Sequence, residues 1–273
     1  MVPPYGPKGP IPVVINADDF GYSGAVNAAI AEAMNRGCIS SATIMANAEA
    51  TDDAIGLSQH FPEASFGVHL NLTEFRPLLP SHEVDNSGLV NQEGCFLGNG
   101  FRQLRPSPQL LELCFRELNL QLIHVLKKGI RPSHLDSHHH VHTIPWLLPV
   151  LTVLQKKYKI PYLRNTMNVY PHCQTTRPSA KLIAGKRLWQ LTTKAVGSHM
   201  TQRFTSLQIF MDDPLRSEFT KAHSIELMCH PGQKGFEAET EQLLRQGAKV
   251  LPHQYQLRSY KTIFHPYISA KHS

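Results

Sequence analysis

The sequence lacks the features of secreted, membrane-spanning or disulfide-stabilised proteins. Its five cysteines lie far apart, their number is odd, and none forms a CxxC pair. This pattern argues against a disulfide framework and against a structural zinc site built from cysteines. No apolar run approaches the ~20 residues that cross a bilayer, and the N-terminus lacks the apolar core of a secretory signal. We therefore expect a cytoplasmic protein with reduced cysteines.

The chain also lacks any concentration of charge. Its 27 Lys and Arg residues outnumber its 21 Asp and Glu residues, but no basic run with interleaved aromatic residues occurs. Nucleic-acid binding therefore has little support. Hydrophobic residues make up 41% of the 273 residues and charged residues 18%, which is typical of a globular protein that can bury a full core.

Tryptophan is scarce as well. The two tryptophans, Trp146 and Trp189, both lie in helical patterns. We expect them in the core, with an exposed surface for ring stacking as the alternative.

What the sequence does contain is histidine. The nine-residue stretch HLDSHHHVH, which begins at His134, has no amphipathic period. Imidazole and carboxylate together suit divalent metals such as zinc, cobalt or nickel. In an extended chain, alternate side chains share one face. Such a strand would point five side chains the same way: His134, Asp136, His138, His140 and His142. One ion cannot take all of them, so some would orient other ligands or face substrate; a solvated loop is the alternative.

Strands and helices alternate along most of the chain. Apolar runs predict strands at 11–21, 39–45, 65–72, 160–163, 207–211 and 224–229, with the His-rich stretch at the end of a further strand. Helical spacing predicts helices at 23–37, 51–60, 108–128, 145–158, 181–195 and 237–249, with a short one opening at 213–214. This alternation predicts a parallel α/β fold, either an open sheet or a barrel.

Polar residues stand at the ends of several predicted strands. Asp18 and Asp19 end the first strand, His69 lies close to the end of another, and His230 follows the last. In parallel α/β folds, ligands bind outside the carboxyl ends of the strands, so these groups are expected to meet the His-rich stretch in one site. Neighbouring strand residues face opposite ways, so one aspartate can reach a metal while the other takes another role. A cap or turn is the plainer interpretation of the aspartate pair alone.

The alternation lapses between residues 73 and 107. Proline and glycine mark turns there, and LVNQEGCFLG is typical of a small hairpin. A connection this long inside a compact domain is usually functional, so we expect it to border the mouth of the active site. A surface insertion is the alternative.

Four of these stretches together resemble the YdjC-like carbohydrate deacetylases. They are NADDFGYS at 16–23, GVHLNLT at 67–73, HLDSHHHVH at 134–142 and MCHPG at 228–232. Each is a weak motif alone, but they occur in the family's order and cover most of the chain. The resemblance implies an irregular (β/α) barrel of mostly parallel strands and a single domain over residues 1–273. It also implies a hydrolase that removes N-acetyl groups from amino sugars or chitooligosaccharides.

The resemblance further implies roles for individual residues. Asp19, His69 and His138 would hold one divalent metal ion, zinc or magnesium. Asp18 would be the general base, and His230 is the candidate general acid. The chemistry is consistent with this, because a divalent ion polarises an amide carbonyl and lowers the pKa of bound water toward ~7. Magnesium is less natural than zinc for imidazole ligands.

Three further polar side chains of these motifs, His140, His142 and Asn71, are expected to contact substrate. The partner would be a small carbohydrate, with no nucleic acid and no membrane, and a homodimer is compatible with the sequence. One alternative is a metal-dependent amidase or esterase acting on another acylated sugar or a lipid-linked substrate. A second is a non-catalytic carbohydrate-binding homologue, which Asp18 disfavours because metal binding does not require it.

Overall fold

The apolar run at the start of the chain forms the central strand of a curled parallel sheet. The computed structural model describes residues 9–85, 87–171 and 178–263. The strands are β1 Ile11–Phe20, β2 Ser41–Ile44, β3 Ser65–Leu70, β4 His134–Ser137, β5 Tyr162–Leu163, β6 Arg203–Ser206, β7 Ile225–Cys229 and β8 Tyr255–Leu257. Their order across the sheet is β5-β4-β3-β2-β1-β7-β6, and β8 pairs with the start of β1.

Helices follow most of the strands and flank the sheet. They are α1 Gly24–Asn35, α2 Thr51–Ser58, α3 Ser81–Val84, α4 Pro108–Lys127, α5 Leu148–Tyr158, α6 Ala180–Ala195, α7 Leu207–Asp212, α8 Ser217–Thr220 and α9 Glu237–Gln246. Short 3-10 turns lie at Gly98–Gln103, His138–Thr143, Pro145–Leu147 and Gly247–Lys249. None of the helices in the described ranges is long and apolar enough to cross a bilayer.

The curl of the sheet brings residues near its two outer strands together. Val169, shortly after β5, donates its backbone N–H to the carbonyl of Phe204 in β6 at 2.9 Å. Leu163 of β5 donates to the carbonyl of His199 at 3.0 Å. The predicted irregular (β/α) barrel of mostly parallel strands is confirmed. Its interior carries the polar residues discussed below, while apolar side chains fill the layer between sheet and helices.

Local sequence signals explain where the main helices begin. The Ser23 hydroxyl accepts the N–H of Val26 at 3.3 Å and starts α1, and the Ser107 hydroxyl accepts the N–H of Leu110 at 3.1 Å and starts α4. Both are N-cap bonds that satisfy a free donor of the first turn. The predicted helices in these two regions are confirmed.

The strand predicted at 207–211 is wrong. The strand is β6, which ends at Ser206, and the residues after it form α7. The Ser206 hydroxyl accepts the N–H of Ile209 at 3.3 Å, so a helix cap follows the strand at once. Leu207 and Phe210, three residues apart, are the buried residues of that helix. The short helix predicted to open at 213–214 begins later, at Ser217.

Backbone hydrogen bonds fold the segment at 73–107 on itself, and an arginine side chain joins it to the rest of the barrel. Val90 and Phe96 form an antiparallel bridge, as the predicted hairpin requires. Phe96 donates its N–H to the carbonyl of Phe75 at 2.9 Å. The guanidinium of Arg102 donates to the backbone carbonyls of His139 and His140, which joins this segment to the His-rich stretch.

Four cysteines of the described residues, Cys38, Cys95, Cys114 and Cys229, are free thiols. Cys173 lies outside the described residues.

Close packing inside the barrel gives a stability prediction at Gly67 of β3. A Cβ atom there would lie 2.6 Å from both the carbonyl oxygen and ring Cε1 of His134. We expect Gly67→Ala to lower the free energy of unfolding by about 1–3 kcal/mol, because the strand or the buried ring must shift. Urea unfolding followed by circular dichroism measures the change.

Gly56→Ala is the matched control. Gly56 lies inside α2, and its added Cβ would meet nothing within 4 Å. This variant should gain about 0.5–1 kcal/mol from its helix propensity. Equal stabilities for the two alanine variants would contradict the close approach of β3 and β4.

Candidate metal centre

Three predicted ligands meet at the carboxyl ends of β1, β3 and β4. Asp19 Oδ1 lies 3.2 Å from His69 Nε2 and 2.8 Å from His138 Nδ1. All three side chains are buried, and they offer ligand atoms within 4.8 Å of one another. Two imidazoles and a carboxylate are the donor set of a three-ligand catalytic metal site.

An irregularity in β1 separates the two aspartates. Ala17 pairs with Ala42 of β2, but Phe20 pairs with Ile44, so β1 carries an extra residue in this interval. Asp19 has a left-handed backbone with φ 65°. Aspartate tolerates this region better than most residues, and such strain is concentrated at functional sites. The bulge directs Asp19 toward the two histidines.

Asp136 holds His69 in position from the side opposite Asp19. The Nδ1 atom of His69 lies 2.7 Å from Asp136 Oδ1, and the Thr43 hydroxyl donates to Asp136 Oδ2 at 3.0 Å. Burial would lower the pKa of His69, but the carboxylates, with Asp136 foremost, outweigh it and raise that pKa to about 10. An imidazole surrounded by this much negative charge favours a bound cation, whether a proton or a metal ion.

Asp18 lies beside the three predicted ligands and binds Arg164. The guanidinium donates two bonds of 2.6 Å, one to each carboxylate oxygen, and Asn16 Nδ2 donates to Asp18 Oδ1 at 2.9 Å. Burial alone would raise the pKa of Asp18, yet the Arg164 charge lowers it well below its usual range. Asp18 is therefore a carboxylate at all physiological pH values.

Arg164 is itself fully buried and holds two more carboxylates. It lies 2.8 Å from Asp136 Oδ2 and 2.7 Å from Glu226 Oε1, and the Tyr260 hydroxyl donates to Glu226 Oε2 at 2.6 Å. Asp18, His69 and Asp136 also stand within metal-ligand reach of one another. Because Asp18 and Asp136 both bond the guanidinium, Arg164 already supplies the positive charge between these two carboxylates.

Sequence reasoning missed Arg164, although a signal for it was present. It directly follows the predicted strand at 160–163 and is therefore a polar residue at a strand end, like Asp18 and His69. Glu226 and Tyr260 carry no such signal. Glu226 lies within an apolar strand, and Tyr260 follows the short β8.

Comparison with known proteins identifies the family of this chain. Residues 12–261 match the family model of YdjC-like proteins. The chain belongs to the YdjC-like family. It is 32% identical to a carbohydrate deacetylase of Brevibacillus brevis, over 80% of this chain and 80% of the relative. It is 33% identical to a carbohydrate deacetylase of Halalkalibacterium halodurans, over 86% and 88% of the two chains.

A solved structure from Enterococcus faecalis V583 shares the fold of this YdjC-like chain. It is provisionally described as a cellobiose-phosphate cleavage protein. The TM-score is 0.72 at 28% sequence identity, and the match covers 93% of this chain and 99% of the other.

The His-rich stretch of this YdjC-like chain is not extended throughout. The strand β4 ends at Ser137, and His139 and His140 adopt left-handed backbone angles with φ 49° and 52°. The expectation that five side chains share one face is therefore wrong, because the chain turns after His138. The sequence does not reveal such a turn, since histidine is not a residue that usually marks it.

The turn leaves His142 buried between Ser137 and Trp189. Its Nδ1 atom lies 2.6 Å from the Ser137 hydroxyl, and its ring centroid lies 6.2 Å from that of Trp189. Nε2 of His142 and Nδ1 of His140 are buried and have no hydrogen-bond partner among the described residues. Substrate contact by these two histidines stays a prediction.

Asn71 is fully buried and engaged with its own loop. Its Oδ1 accepts the N–H groups of Thr73 at 2.9 Å and Glu74 at 3.1 Å, and its Nδ2 donates to the Glu74 carbonyl at 2.6 Å. Those bonds occupy both ends of the amide group. The geometry thus gives Asn71 a supporting part beside the metal ligands, and substrate contact by this residue stays a prediction.

His230 stands at the end of β7, the strand beside β1. Its backbone N–H donates to Glu239 Oε1 at 2.7 Å, and its ring packs on Phe236 with centroids 4.3 Å apart. Burial lowers the pKa of His230, while the Asp18 and Asp19 carboxylates act in the opposite direction. Its side chain is thus fixed near the aspartates, and its role as an acid stays a prediction.

Arg164 provides a stability prediction with a characteristic pH dependence. Arg164→Met leaves buried carboxylates uncompensated and should cost about 3–5 kcal/mol near neutral pH. Asp18 has a lowered pKa in the folded wild type, so its contribution is present above its ordinary pKa and is lost as pH falls. In the variant, burial without the guanidinium raises the carboxylate pKa values, so the folded state binds extra protons and its stability falls as pH rises.

Urea unfolding at about pH 5 and about pH 8 distinguishes these cases, with a smaller loss expected at the lower pH. Arg36→Met is the control, because Arg36 pairs with Glu32 on the exposed surface of α1 and should contribute about 0–1 kcal/mol. A loss for Arg164→Met that is the same at both pH values would argue against carboxylate compensation as the cause.

Proposed function

We propose that this chain is a metal-dependent hydrolase that removes N-acetyl groups from amino sugars. The observation that carries the proposal is a separate carboxylate, Asp18, held beside the ligand set Asp19, His69 and His138 without being part of it. A protein that only bound metal or sugar would not need that second carboxylate. The relatives named carbohydrate deacetylases support the substrate class.

The donor set fits a divalent ion of the zinc type. Two imidazoles with one carboxylate suit zinc, whereas magnesium prefers oxygen ligands and keeps several waters. When bound, such an ion polarises the amide carbonyl and makes a water molecule acidic near neutral pH. Asp19, His69 and His138 would hold it, and Asp136 would keep His69 Nε2 directed toward it.

Asp18 accepts the proton of the attacking water in this proposal. Its Oδ2 receives one bond, from Arg164, so lone-pair capacity remains on that oxygen. Arg164 and Asn16 fix the carboxylate so that it need not reorient during the reaction. His230, at the end of the neighbouring strand, protonates the departing amine.

An adjacent groove supports an extended substrate. It has a volume of about 840 Å³, and Thr143 and Ile144, at the end of the His-rich stretch, form part of its wall together with Trp146 and Trp189. Trp189 is in the core as expected, at 5% exposure, but Trp146 is only partly buried. A partly exposed indole face in a groove is a surface on which a sugar ring can stack.

The same groove favours one second candidate, an acylated sugar with an apolar or lipid-linked aglycone. Leu182 and Leu188 of α6 border the groove and are 48% and 66% exposed. Acetate release from N-acetylglucosamine oligomers, compared with release from lipid-linked acyl sugars, separates the two. Release from neither would overturn both candidates.

The ligand set gives a prediction about metal content. Purified protein should bind one divalent ion per chain, and chelation should abolish acetate release. His138→Ala should lose the ion because it removes a ligand. His139→Ala is the control: this histidine neighbours His138, yet it belongs to a different candidate set, with Glu74. Loss of the ion from His139→Ala but not from a His69→Ala variant would place the metal with Glu74 instead.

Adjacent aspartates should show two different defects. Asp18→Asn removes the basic carboxylate but no ligand, so it should keep the ion while kcat for acetate release falls by on the order of 10²–10⁴. Asp19→Asn should weaken binding of the ion, because a neutral amide oxygen is a poorer ligand than a carboxylate. Metal analysis and steady-state kinetics of both variants provide the test. If Asp18→Asn lost the ion and Asp19→Asn retained it, the two roles would be reversed.

A further inference from the structure

One ring nitrogen of His138 lacks an established partner. Its Nδ1 atom faces the ligand set and lies 2.8 Å from Asp19 Oδ1. Nε2 is buried and has no hydrogen-bond partner among the described residues. The nearest carboxylate oxygen to it is Glu74 Oε2, at 3.5 Å. The side chain of Glu74 is about one-third exposed, at 32%, so it stands between the site and solvent.

The protonation of His138 follows from ligation. An imidazole that binds a metal through Nδ1 keeps its proton on Nε2. A buried N–H without an acceptor costs about 1–3 kcal/mol, whereas a shift of roughly half an ångström would bring Glu74 within hydrogen-bond distance. A carboxylate behind a ligating imidazole fixes the ring and makes it a stronger ligand. Asp136 already does this for His69.

The turn that carries Glu74 is held from both sides. Asn71 bonds the N–H and the carbonyl of Glu74, and Asn47 Nδ2 donates to the same carbonyl at 3.3 Å and to that of Arg76 at 3.0 Å. Phe75 has a left-handed backbone with φ 64°, an unfavourable conformation for an aromatic residue. Its ring packs edge-on against Tyr22 with centroids 5.0 Å apart. Strain of this kind persists only where the surroundings determine it.

We propose that Glu74 is the positioning residue for His138, accepting the Nε2–H so that Nδ1 is presented to the metal ion. This inference rests on the metal centre of the proposed function. It gives the start of the 73–107 segment a direct part in the site. It also accounts for the buried amide of Asn71, which shapes the turn that carries Glu74.

The competing arrangement is a second cation held by Glu74, His138 and His139, whose donor atoms also lie within 4.8 Å of one another. His138 would then have to bind through both ring nitrogens and give up its Nε2 proton. His139 is exposed at the surface and lies 3.7 Å from Glu74 Oε1. The positioning arrangement needs neither a deprotonated imidazole nor a second ion.

The test is zinc affinity, measured by competition with a chromogenic chelator, together with zinc per chain. Glu74→Ala should weaken zinc binding about 10–100-fold, while the stoichiometry stays at one ion per chain. Glu74→Gln should weaken it less, because an amide oxygen still accepts the Nε2–H. Glu83→Gln is the matched control: Glu83 lies in the same segment but pairs with Arg116, and its zinc affinity should equal that of the wild type.

The outcomes separate this inference from the function on which it rests. Unchanged zinc affinity in both Glu74 variants would overturn the positioning role while leaving the metal centre in place. Two ions in the wild type falling to one in Glu74→Ala would overturn it in favour of a second cation site. Wild-type protein that binds no zinc would overturn the metal centre and this inference together. Weakened binding without acetate release from the wild type would support Glu74 and contradict the deacetylase.

Discussion

A single buried guanidinium organises the interior of this barrel. Arg164 contacts three buried carboxyl groups, those of Asp18, Asp136 and Glu226. Asp19 adds a fourth buried carboxylate beside them. Burial raises the pKa of Glu226 and favours its neutral form, whereas the partners of Asp18 and Asp19 lower the pKa values of those two carboxyl groups. Ionised carboxylates in a low-dielectric interior need compensating cations. Arg164 supplies one, and His69, with its raised pKa, favours a second, either a proton or a metal ion at the ligand set.

Asp136 connects His69, one of the predicted metal ligands, to Arg164, which binds Asp18. One of its oxygens lies 2.7 Å from His69, and the other lies 2.8 Å from Arg164 and accepts the hydroxyl of Thr43. The residue that orients the predicted ligand His69 therefore also orients the arginine that fixes Asp18. The effects of substitutions at His69 and at Asp18 on stability should be non-additive, because groups in one hydrogen-bonded network share their partners. The positions of these two side chains are thus set together.

The sequence predicts which polar residues lie at the ends of strands, but it does not predict most of their contacts inside the barrel. Polar residues after apolar runs, such as Asp18, Asp19 and His69, are visible because burial makes them costly without a purpose. Arg164 shows the same pattern, because it directly follows the apolar run at 160–163, and its position could have been predicted in the same way. Glu226 could not be found in this way, because its partner lies 62 positions away in the chain and only the curl of the sheet brings them together. The turn at His139 is equally hidden, since its left-handed angle arises from tertiary contacts.

The arginine that fixes Asp18 also limits what Asp18 can do. A carboxylate whose pKa is lowered by a bidentate guanidinium remains ionised, but it is a weak base. Such a group cannot deprotonate bulk water effectively, because a general base is most efficient when its pKa lies near the operating pH. It becomes useful only beside a water that is already acidic. In the proposed mechanism, the adjacency of Asp18 and Asp19 in β1 is therefore a functional requirement: the weak base and the predicted ligand set need each other, and the bulge in β1 lets one strand supply both.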